Sequence, residues 1–258
     1  MGDEEKKDLR YDFGEEVAIV TGGAAGLGRV IALAFARQGA AVVAADLNAS
    51  GGEETVRRIE EAGGTAAFVR TDVSREDDVR NFVAFAVERY GKIDFACNNA
   101  GIEGGQVPIA ELPRDRWDQV VAVNLTGVFQ CLKYELQQML KQGHGAIVNI
   151  ASVAGLIGTP ARAGYVATKH GIIGLTKTAA LEVANKGIRV NAVAPGLVNA
   201  GLTDAAPREF VEKALAAQPI GRMAEAEEIA AAVLWLCSDA ASFVLGHTLP
   251  VEGGFTIA

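Results

Sequence analysis

Seven short runs of apolar, β-branched residues alternate along this chain with longer segments of helical periodicity. The runs are VAIV at 17, AAVVAAD at 40, TAAFVRTD at 65, IDFACNNAG at 93, AIVNIAS at 146, IRVNAVAPG at 188 and TLPVEGG at 248. Because the runs lack polar alternation, we expect strands that are buried on both faces. Strands separated by helices pair in parallel through right-handed crossovers. The pattern therefore predicts an α/β fold, a doubly wound seven-stranded parallel sheet flanked by helices.

The sequence shows no boundary between two domains. We find no internal repeat, no low-complexity tract and no linker rich in Pro, Ser and Gly within the 258 residues. We predict a charged N-terminal tail over 1–14 and a single domain over 15–258. An insert at about 197–222, LVNAGLTDAAPREFVEKALAAQPIGR, interrupts the alternation of strands and helices, and we predict that it acts as a lid.

Composition and charge exclude several classes of protein. Half of the residues are hydrophobic, which is enough for a large core. The chain has no run of eighteen apolar residues, so we predict no membrane span, and its net charge of −8 argues against a nucleic-acid surface. The first residues are charged and lack the apolar run of a secretory signal, so we expect a cytoplasmic location.

Cysteine and histidine residues are too few and too widely spaced for a disulfide framework or a metal centre. The cysteines are odd in number and form no CxxC pair, and the histidines show no ligand spacing. We therefore predict buried thiols and no metal site. The residues are Cys97, Cys131, Cys237, His144, His170 and His247.

A glycine-rich turn, TGGAAGLG, follows the first predicted strand. Gly22, Gly26 and Gly28 let the backbone turn sharply and approach a ligand closely, and the next helix offers free N–H groups and a positive dipole end. Asp46 ends the second strand, where a carboxylate accepts hydrogen bonds from an adenosine ribose and repels a 2′-phosphate. These features predict an NAD site, with NADP less favoured. The alternative is a tight turn without a ligand.

A tyrosine and a lysine lie one helical turn apart in GYVATKHG, residues 164–171. If this stretch is helical, Tyr165 and Lys169 share one face and present their polar ends side by side. A cation beside a phenol can tune a proton donor. The alternative is a buried tyrosine beside a lysine whose ammonium reaches solvent.

From Val17 to the C-terminus the chain resembles the short-chain dehydrogenase/reductase family, whose motifs occur here in the family's order. The glycine spacing TGxxxGxG, in place of GxGxxG, is typical of that family. The other motifs are DV at 72–73, NNAG at 98–101, VNLTG with Asn124, NIASVAG with Ser152, YVATK with Tyr165 and Lys169, and APGLV at 194–198. The resemblance implies a Rossmann-like domain that binds a nicotinamide dinucleotide.

The resemblance also implies four catalytic residues. Tyr165 would be the acid/base, and Lys169, together with the oxidised nicotinamide, would lower the pKa of Tyr165 by about three units and hold the nicotinamide ribose. Ser152 would hydrogen-bond the substrate oxygen, and Asn124 would kink its helix and hold a water in a proton relay. The alternatives are a serine bonded to local backbone and a satisfied core asparagine. The cofactor-binding residues would be Gly22, Gly26, Leu27, Gly28, Asp46, Asp72, Val73, Asn99, Gly101, Tyr165, Lys169, Pro195 and Val198.

One departure from the family pattern lies in the loop expected over the nicotinamide. Family members usually carry a Thr two residues after the Val of that loop, where this chain has Ala200. Thr203 would replace the carboxamide contact only if the backbone is shifted. In the insert, residues 199–201 are small enough for hinge motion. An apolar underside is predicted from Leu202, Phe210, Val211 and Leu215.

We therefore predict an NAD-dependent oxidoreductase that transfers a hydride between nicotinamide and a secondary alcohol or ketone. Its substrate should be uncharged and moderately apolar, because the insert carries few basic residues. Two alternatives use the same scaffold: a 3-oxoacyl-thioester reductase, usually linked to NADPH, and a cyclic diol dehydrogenase. A catalytically silent dinucleotide-binding sensor is an alternative from another class. Apolar residues around Trp235 and in the C-terminal GGFTIA, together with the resemblance, predict a homotetramer.

Overall fold

The computed structural model describes residues 11–200 and 208–258. Its strands are β1 (Val17–Thr21), β2 (Ala41–Asp46), β3 (Ala66–Arg70), β4 (Phe95–Asn98), β5 (Gly145–Ile150), β6 (Ile188–Pro195), β7 (Val198–Asn199), β8 (Ala224–Glu225) and β9 (Thr248–Val251). Seven of them form a parallel sheet in the order β3-β2-β1-β4-β5-β6-β9. Each predicted run overlaps one strand of this sheet, which confirms the predicted doubly wound α/β fold.

The strand order reverses beside β1, which lies between β2 and β4. Within β1, Val17 pairs with Ala41 of β2, and Ala18 pairs with Phe95 of β4. In open α/β sheets, ligands bind beyond the carboxyl ends of the strands at the point where the order reverses. The turn that follows β1 is therefore at the expected ligand site.

Helices cover both faces of the sheet. In the described part of the chain they are α1 (Gly26–Arg37), α2 (Ala49–Glu61), α3 (Glu76–Tyr90), α4 (Arg114–Val121), α5 (Gly127–Gln142), α6 (Ala163–Val183), α7 (Arg208–Ala216) and α8 (Ala226–Cys237). One core joins α1, α2 and α8 to the sheet around Phe35 and Ile229. The other joins α3, α5 and α6 around Phe82 and Ile172. Two apolar layers explain why the strands lack polar alternation. No helix among these is long and apolar enough to cross a membrane.

Two local features go beyond what was predicted from the sequence, which indicated only a kink at Asn124. Residues 122–126 form a π-helical turn between α4 and α5. Such a turn interrupts the regular helical hydrogen-bond ladder and often occurs at functional sites. The short strands β7 and β8 pair with each other in parallel, through Val198 with Ala224 and Asn199 with Glu225. This strand pair joins the start of the insert to the residues that directly follow its end.

The N-terminal segment joins the core before residue 15. Phe13 is 5% exposed, and its ring lies 4.7 Å from that of Phe95 and 6.2 Å from that of Phe35. Its backbone N–H donates to Gln38 O. The predicted tail over 1–14 therefore extends too far, because an aromatic side chain within it has a buried partner surface. Residues 1–10 of that tail lie outside the described residues.

The three cysteines are buried, as predicted from their spacing. Burial raises the pKa of each thiol, to about 12 for Cys237. Within residues 11–200 and 208–258, no group of three or more His, Cys, Asp and Glu could hold a metal ion. The thiols are therefore protonated core side chains at neutral pH.

A buried acidic residue, Glu135 of α5, hydrogen-bonds to the sheet. Asn98 Nδ2 donates to Glu135 Oε2 and to Asn149 Oδ1, both at 3.0 Å, and Asn149 Nδ2 donates to Thr176 Oγ1 at 2.9 Å. Among the residues described, Glu135 Oε1 has no hydrogen-bond partner. Because burial penalises the charged form, the pKa of Glu135 rises from its ordinary value of 4.5 to about 7.

We expect Glu135→Gln to remove a pH dependence from the stability. The unfolded state loses its proton near pH 4.5 and the folded state near 7, so the free energy of unfolding falls as pH rises through this interval. The full difference is on the order of 3 kcal/mol. Urea unfolding at pH 5 and pH 8 measures it, with exposed Glu88→Gln as the control. If the free energy of unfolding falls by the same amount from pH 5 to pH 8 in wild type and in Glu135→Gln, Glu135 is not the source of the pH dependence.

Candidate active site

A cleft of about 1140 Å³ lies at the carboxyl ends of the central strands. Its wall is formed by the turns that follow β1, β2, β3, β4, β5 and β6. With the exception of Asn124, every residue that the sequence predicted for catalysis or cofactor binding lines this cleft. These residues are Gly22, Gly26, Leu27, Gly28, Asp46, Asp72, Val73, Asn99, Gly101, Ser152, Tyr165, Lys169, Pro195 and Val198. The volume accommodates a dinucleotide together with a small substrate.

The glycine-rich turn needs glycine at three positions. Gly22 and Gly26 have φ angles of +70° and +51°, which side-chain-bearing residues rarely adopt. A Cβ atom on Gly28 would lie 2.1 Å from Gly22 O, so the backbone segments approach too closely for a side chain. No side chain of the described residues caps the start of α1, and its first turn carries no acidic residue. The N–H groups of this helix end thus suit an anion such as a pyrophosphate.

Asp46 ties the glycine-rich turn to the end of β2. Its Oδ2 accepts from Ala24 N at 3.1 Å, and its Oδ1 accepts from Asn48 N at 2.9 Å. The next residue, Leu47, is 52% exposed and also lines the cleft. The guanidinium of Arg29 lies nearby but donates to Ala24 O and Thr55 Oγ1. Of these two charged residues, Asp46 lines the cleft and Arg29 does not, so the carboxylate is the charge that borders the ligand space.

The loops after β3 and β4 are held by side-chain hydrogen bonds. Asp72 Oδ1 accepts from Ser74 N at 2.9 Å, and Val73 O accepts from Gln130 Nε2 at 3.1 Å. Asn99 donates from Nδ2 to Thr21 O, and its backbone N–H donates to Thr21 Oγ1, both at 3.0 Å. These bonds fix the cleft wall on both sides of β1.

Ser152, Tyr165 and Lys169 meet at one wall of the cleft. Tyr165 and Lys169 lie on α6 and are 8% and 4% exposed, and the Lys169 ammonium is 5.5 Å from the centre of the tyrosine ring. Lys169 Nζ donates to Ile150 O at 2.7 Å. Ser152 Oγ accepts from Ala154 N at 3.2 Å, which leaves its own proton available for another acceptor. A phenol, a hydroxyl and an ammonium thus face the same space.

Burial dominates the influence of the protein's own groups on the pKa of Tyr165. Burial of the phenol raises this pKa, while the charge of Arg162 and a hydrogen bond from Ser152 lower it by less, and Glu103 raises it. The lowering expected from Lys169 together with an oxidised nicotinamide stays a prediction. Burial, followed by the charge of Arg162, lowers the pKa of Lys169 to about 8.

An ion pair that the sequence interpretation did not single out borders this group. Arg162 Nη2 lies 2.6 Å from Glu103 Oε1, with side chains 10% and 24% exposed. The guanidinium carbon is 4.5 Å from the centre of the Tyr165 ring. The sequence carried one signal for it: Arg162 lies three residues before Tyr165, the spacing of neighbours on a helix face. Its partner is 59 positions away, so only the fold could reveal the pair.

Asn124 lies behind the cleft wall instead of lining it. It is fully buried in the π-helical turn. Its Oδ1 accepts from Ile102 N and its Nδ2 donates to Ile102 O, both at 2.8 Å. Its side chain therefore holds the loop after β4, and the role of Asn124 in a proton relay stays a prediction. The predicted kink in its helix corresponds to the π-helical turn.

The insert begins beside the glycine-rich turn. Ala200 lines the cleft, and a Cβ on Gly26 would lie 2.4 Å from Ala200 O. Further along, α7 places Lys213 at the cleft, and Ala217 follows it. Gly201, Leu202 and Thr203 lie outside the described residues, as does the side chain of Phe210. The described parts of the insert thus border the cleft at both ends.

Comparison with known proteins gives consistent matches over the whole domain. Residues 22–256 match a family model described as enoyl-(acyl carrier protein) reductase. The chain is 44% identical to "Short chain dehydrogenase/reductase astE" of Aspergillus oryzae, with 97% of this chain and 98% of that protein covered. It is 43% identical to a cyclohexanol dehydrogenase of Acinetobacter sp., with 97% and 99% covered. A 3-oxoacyl-(acyl-carrier-protein) reductase of Staphylococcus aureus is 41% identical, with 92% and 96% covered.

Solved structures match equally well. Levodione reductase superposes with a TM-score of 0.92 at 39% identity, covering 95% of this chain and 99% of that chain. NAD⁺-bound xylitol dehydrogenase superposes with a TM-score of 0.90 at 35% identity, covering 95% and 100%. These similarities extend from the sheet to the turns that form the cleft, since almost the whole of each chain is aligned.

Proposed function

The chain belongs to the short-chain dehydrogenase/reductase family, and from that premise we propose that it is an NAD-dependent oxidoreductase acting on a secondary alcohol or its ketone. One observation carries the proposal: Ser152, Tyr165 and Lys169 share a cleft with the glycine-rich turn. The names of a cyclohexanol dehydrogenase and a xylitol dehydrogenase among the similar proteins support a CH–OH group as the donor.

The residues of the cleft fit a nicotinamide dinucleotide. The glycine-rich turn is a cradle that a Cβ at position 28 would fill, and it opens α1 at its positive end. Asp46 suits the hydroxyl groups of an adenosine ribose and opposes a 2′-phosphate, which supports NAD. When bound, the nicotinamide would supply the hydride acceptor for alcohol oxidation.

Tyr165 would move the proton that accompanies hydride transfer. In alcohol oxidation its phenolate removes the hydroxyl proton of the substrate, and in ketone reduction its phenol returns a proton to the same oxygen. Ser152 would donate to that oxygen, because its Oγ already accepts from Ala154 N and is held in one orientation. Lys169, fixed by its hydrogen bond to Ile150 O, would hold a positive charge 5.5 Å from the ring centre, where it would favour phenolate together with the oxidised nicotinamide.

The substrate would be a small uncharged molecule, and cyclic alcohols are the first class to test. The glutamate and arginine at this end of the cleft, Glu103 and Arg162, pair with each other, so the pair adds no net charge. The apolar side chains of Val153 and Ile157 line the same region. Cyclohexanol dehydrogenase, a similar protein, is named for a ring substrate.

A second candidate is reduction of a 3-oxoacyl thioester, which the similarity to a 3-oxoacyl-(acyl-carrier-protein) reductase supports. Such an activity would usually take NADPH. Asp46 opposes a 2′-phosphate, and Ala24 and Ala25 put no basic residue in the glycine-rich turn. We therefore rank this candidate second.

The test is turnover with defined substrates. The purified protein is mixed with NAD and a panel of cyclic and acyclic secondary alcohols, and NADH formation is followed by absorbance. A parallel arm supplies NADPH and an acetoacetyl thioester. Turnover of an alcohol with NAD supports the proposal, and faster turnover of the thioester with NADPH favours the second candidate. Cofactor binding without turnover of any substrate would instead indicate the silent sensor.

The insert over 197–222 is expected to close over the substrate. Its described residues Val198, Ala200 and Lys213 already line the cleft, so a bound substrate would contact them. We expect backbone amides of α7 to become protected from hydrogen exchange when NADH and a ketone are both present. Exchange in α3, which packs against α5 and contributes no residue to the cleft, serves as the internal control. Protection confined to the glycine-rich turn would exclude a lid.

A homotetramer is proposed from the exposed apolar side chains. Phe129 on α5 is 51% exposed, Leu181 on α6 is 80% exposed, and Phe243 in the loop before β9 is fully exposed. Exposed apolar side chains on two helices and one loop suit interfaces with other subunits, and two different twofold interfaces together generate four subunits. Light scattering at micromolar concentration should give a mass near four times the 26.9 kDa of one chain. A mass of one chain would contradict association.

A further inference from the structure

The Arg162 backbone is fixed in a position that brings its side chain over Tyr165. It precedes α6, and the residue before it, Ala161, has a φ of +60°. For a residue with a side chain this conformation is strained and persists only when neighbouring contacts impose it. Here Ala161 O accepts from Val107 N at 2.7 Å, and Val107 forms an isolated parallel bridge with Arg162.

Glu103 holds the guanidinium of Arg162 in this position. The ion pair of 2.6 Å is formed by side chains that are 10% and 24% exposed, so water screens it only partly. Both residues line the cleft beside Tyr165. The guanidinium carbon lies 4.5 Å from the ring centre, which is within the range of a cation–π contact.

Lys169 is farther from the ring than Arg162 and has another partner. Its ammonium is 5.5 Å from the ring centre, against 4.5 Å for the guanidinium, and it donates to Ile150 O. An arginine keeps its charge at every pH of interest, whereas burial lowers the pKa of Lys169 to about 8. Arg162 is therefore the more constant positive charge beside the phenol.

We propose that Arg162 is a positioning residue for proton transfer: its guanidinium, held by Glu103 over the ring of Tyr165, stabilises the phenolate form of this tyrosine. The inference rests on the proposed function, since only hydride transfer to or from an alcohol requires that proton. It adds a second cation to the one that the family motif supplies. Burial raises the pKa of Tyr165, and the charge of Arg162 is the largest influence that lowers it.

Other charged groups around Tyr165 must be considered with this pair. From α6 itself, Lys169 lies one turn beyond the tyrosine, and from the loop after β4, Glu103 opposes the effect of Arg162. From α4, Arg116 borders the same small cavity as Tyr165. Arg116 provides a matched control, because it is a nearby arginine that is absent from the influences on the tyrosine.

Because Glu103 and Arg162 carry opposite charges, neutralising each of them should shift the apparent pKa in opposite directions. A purely structural role of the pair predicts no such difference in sign. The pH profile of kcat/KM for alcohol oxidation is measured at saturating NAD for Arg162→Gln, Glu103→Gln and the control Arg116→Gln. Loss of the cation should raise the apparent pKa by about one unit and lower kcat/KM at neutral pH roughly tenfold. In Glu103→Gln the amide oxygen can still accept from Arg162 Nη2, so the guanidinium stays over the ring while the negative charge is lost, and the apparent pKa should shift downward. Arg116→Gln should leave the apparent pKa unchanged.

Shifts of opposite sign support the inference. An unchanged apparent pKa in both variants, or shifts of the same sign, would overturn it. The ion pair of Glu103 and Arg162 would then have only a structural role, holding two loops together. If Arg162→Gln does not fold, as judged by circular dichroism, the pH profile of Glu103→Gln tests the inference alone. A downward shift of its apparent pKa supports the inference, and no shift or an upward shift overturns it. If wild type turns over no alcohol, the proposed function fails by itself. The inference is then judged by phenolate absorbance titration, with Tyr165→Phe as the blank: titration at higher pH in Arg162→Gln supports it, and no change overturns it.

Discussion

Tyr165→Phe is expected to lose at least a hundredfold in kcat/KM while keeping its fold and its affinity for NADH. The change deletes one oxygen atom, and the ring that packs beneath Arg162 stays in place. Without the phenol no side chain at that position can exchange a proton with the substrate oxygen, and general acid–base groups contribute about 10²- to 10⁴-fold. Steady-state kinetics and NADH fluorescence titration measure the two quantities.

Tyr134→Phe is the matched control for this experiment. The Tyr134 hydroxyl donates to Glu76 Oε1 at 2.9 Å on the surface between α5 and α3. Tyr134→Phe also removes one phenolic oxygen and its hydrogen bond, but it should leave kcat/KM unchanged. If Tyr165→Phe kept more than about a tenth of the wild-type kcat/KM, the loss would be under about 1.4 kcal/mol. Tyr165 would then not be the main acid/base.

The pair of substitutions Asp46→Ser and Leu47→Arg should shift cofactor preference towards NADP. Removing the carboxylate ends its repulsion of the 2′-phosphate, and an arginine at the exposed position 47 can pair with that dianion. We expect the ratio of kcat/KM for the two cofactors to change by at least about a hundredfold, or about 2.7 kcal/mol. Wild type itself should favour NAD, and comparable values for the two cofactors would contradict the assignment of Asp46.

Asp46→Asn separates charge from structure in this experiment. Asp46 also accepts from Ala24 N and Asn48 N, so a shorter side chain disturbs the turn as well as the charge. Asparagine keeps the shape and one acceptor oxygen. If charge sets the preference, Asp46→Asn should improve use of NADP with little loss of thermal stability. A loss of both cofactors in Asp46→Asn would show that the hydrogen bonds matter more than the charge.

The sheet was predictable because each of its strands is a continuous apolar run between helical segments, and burial on both faces leaves that pattern in the sequence. The strands β7 and β8 were not, because two residues carry no periodicity. The π-helical turn was anticipated only as a kink, through the resemblance. Phe13 was assigned to a tail because it follows a charged stretch, and one aromatic residue is too weak a signal to predict that it packs in the core.

The same distinction between local patterns and contacts made by the fold applies to the candidate site. Residues within one motif, such as Tyr165 and Lys169, could be placed together because helical spacing fixes their faces. Glu103 and Arg162 meet only through the fold, so no local pattern joins them. The ionisation of Tyr165 depends on burial, which spacing does not report, and on the charge of Arg162, which no motif indicated.

The contact between Gly26 and Ala200 has a consequence for how two walls of the cleft are spaced. A Cβ atom at position 26 would lie 2.4 Å from Ala200 O, and the φ of +51° at Gly26 is one that residues with a side chain rarely adopt. Because Ala200 also lines the cleft, a side chain at position 26 would displace the start of the insert as well as the glycine-rich turn. One glycine therefore sets the distance between the turn proposed to hold the pyrophosphate and the segment proposed to cover the substrate.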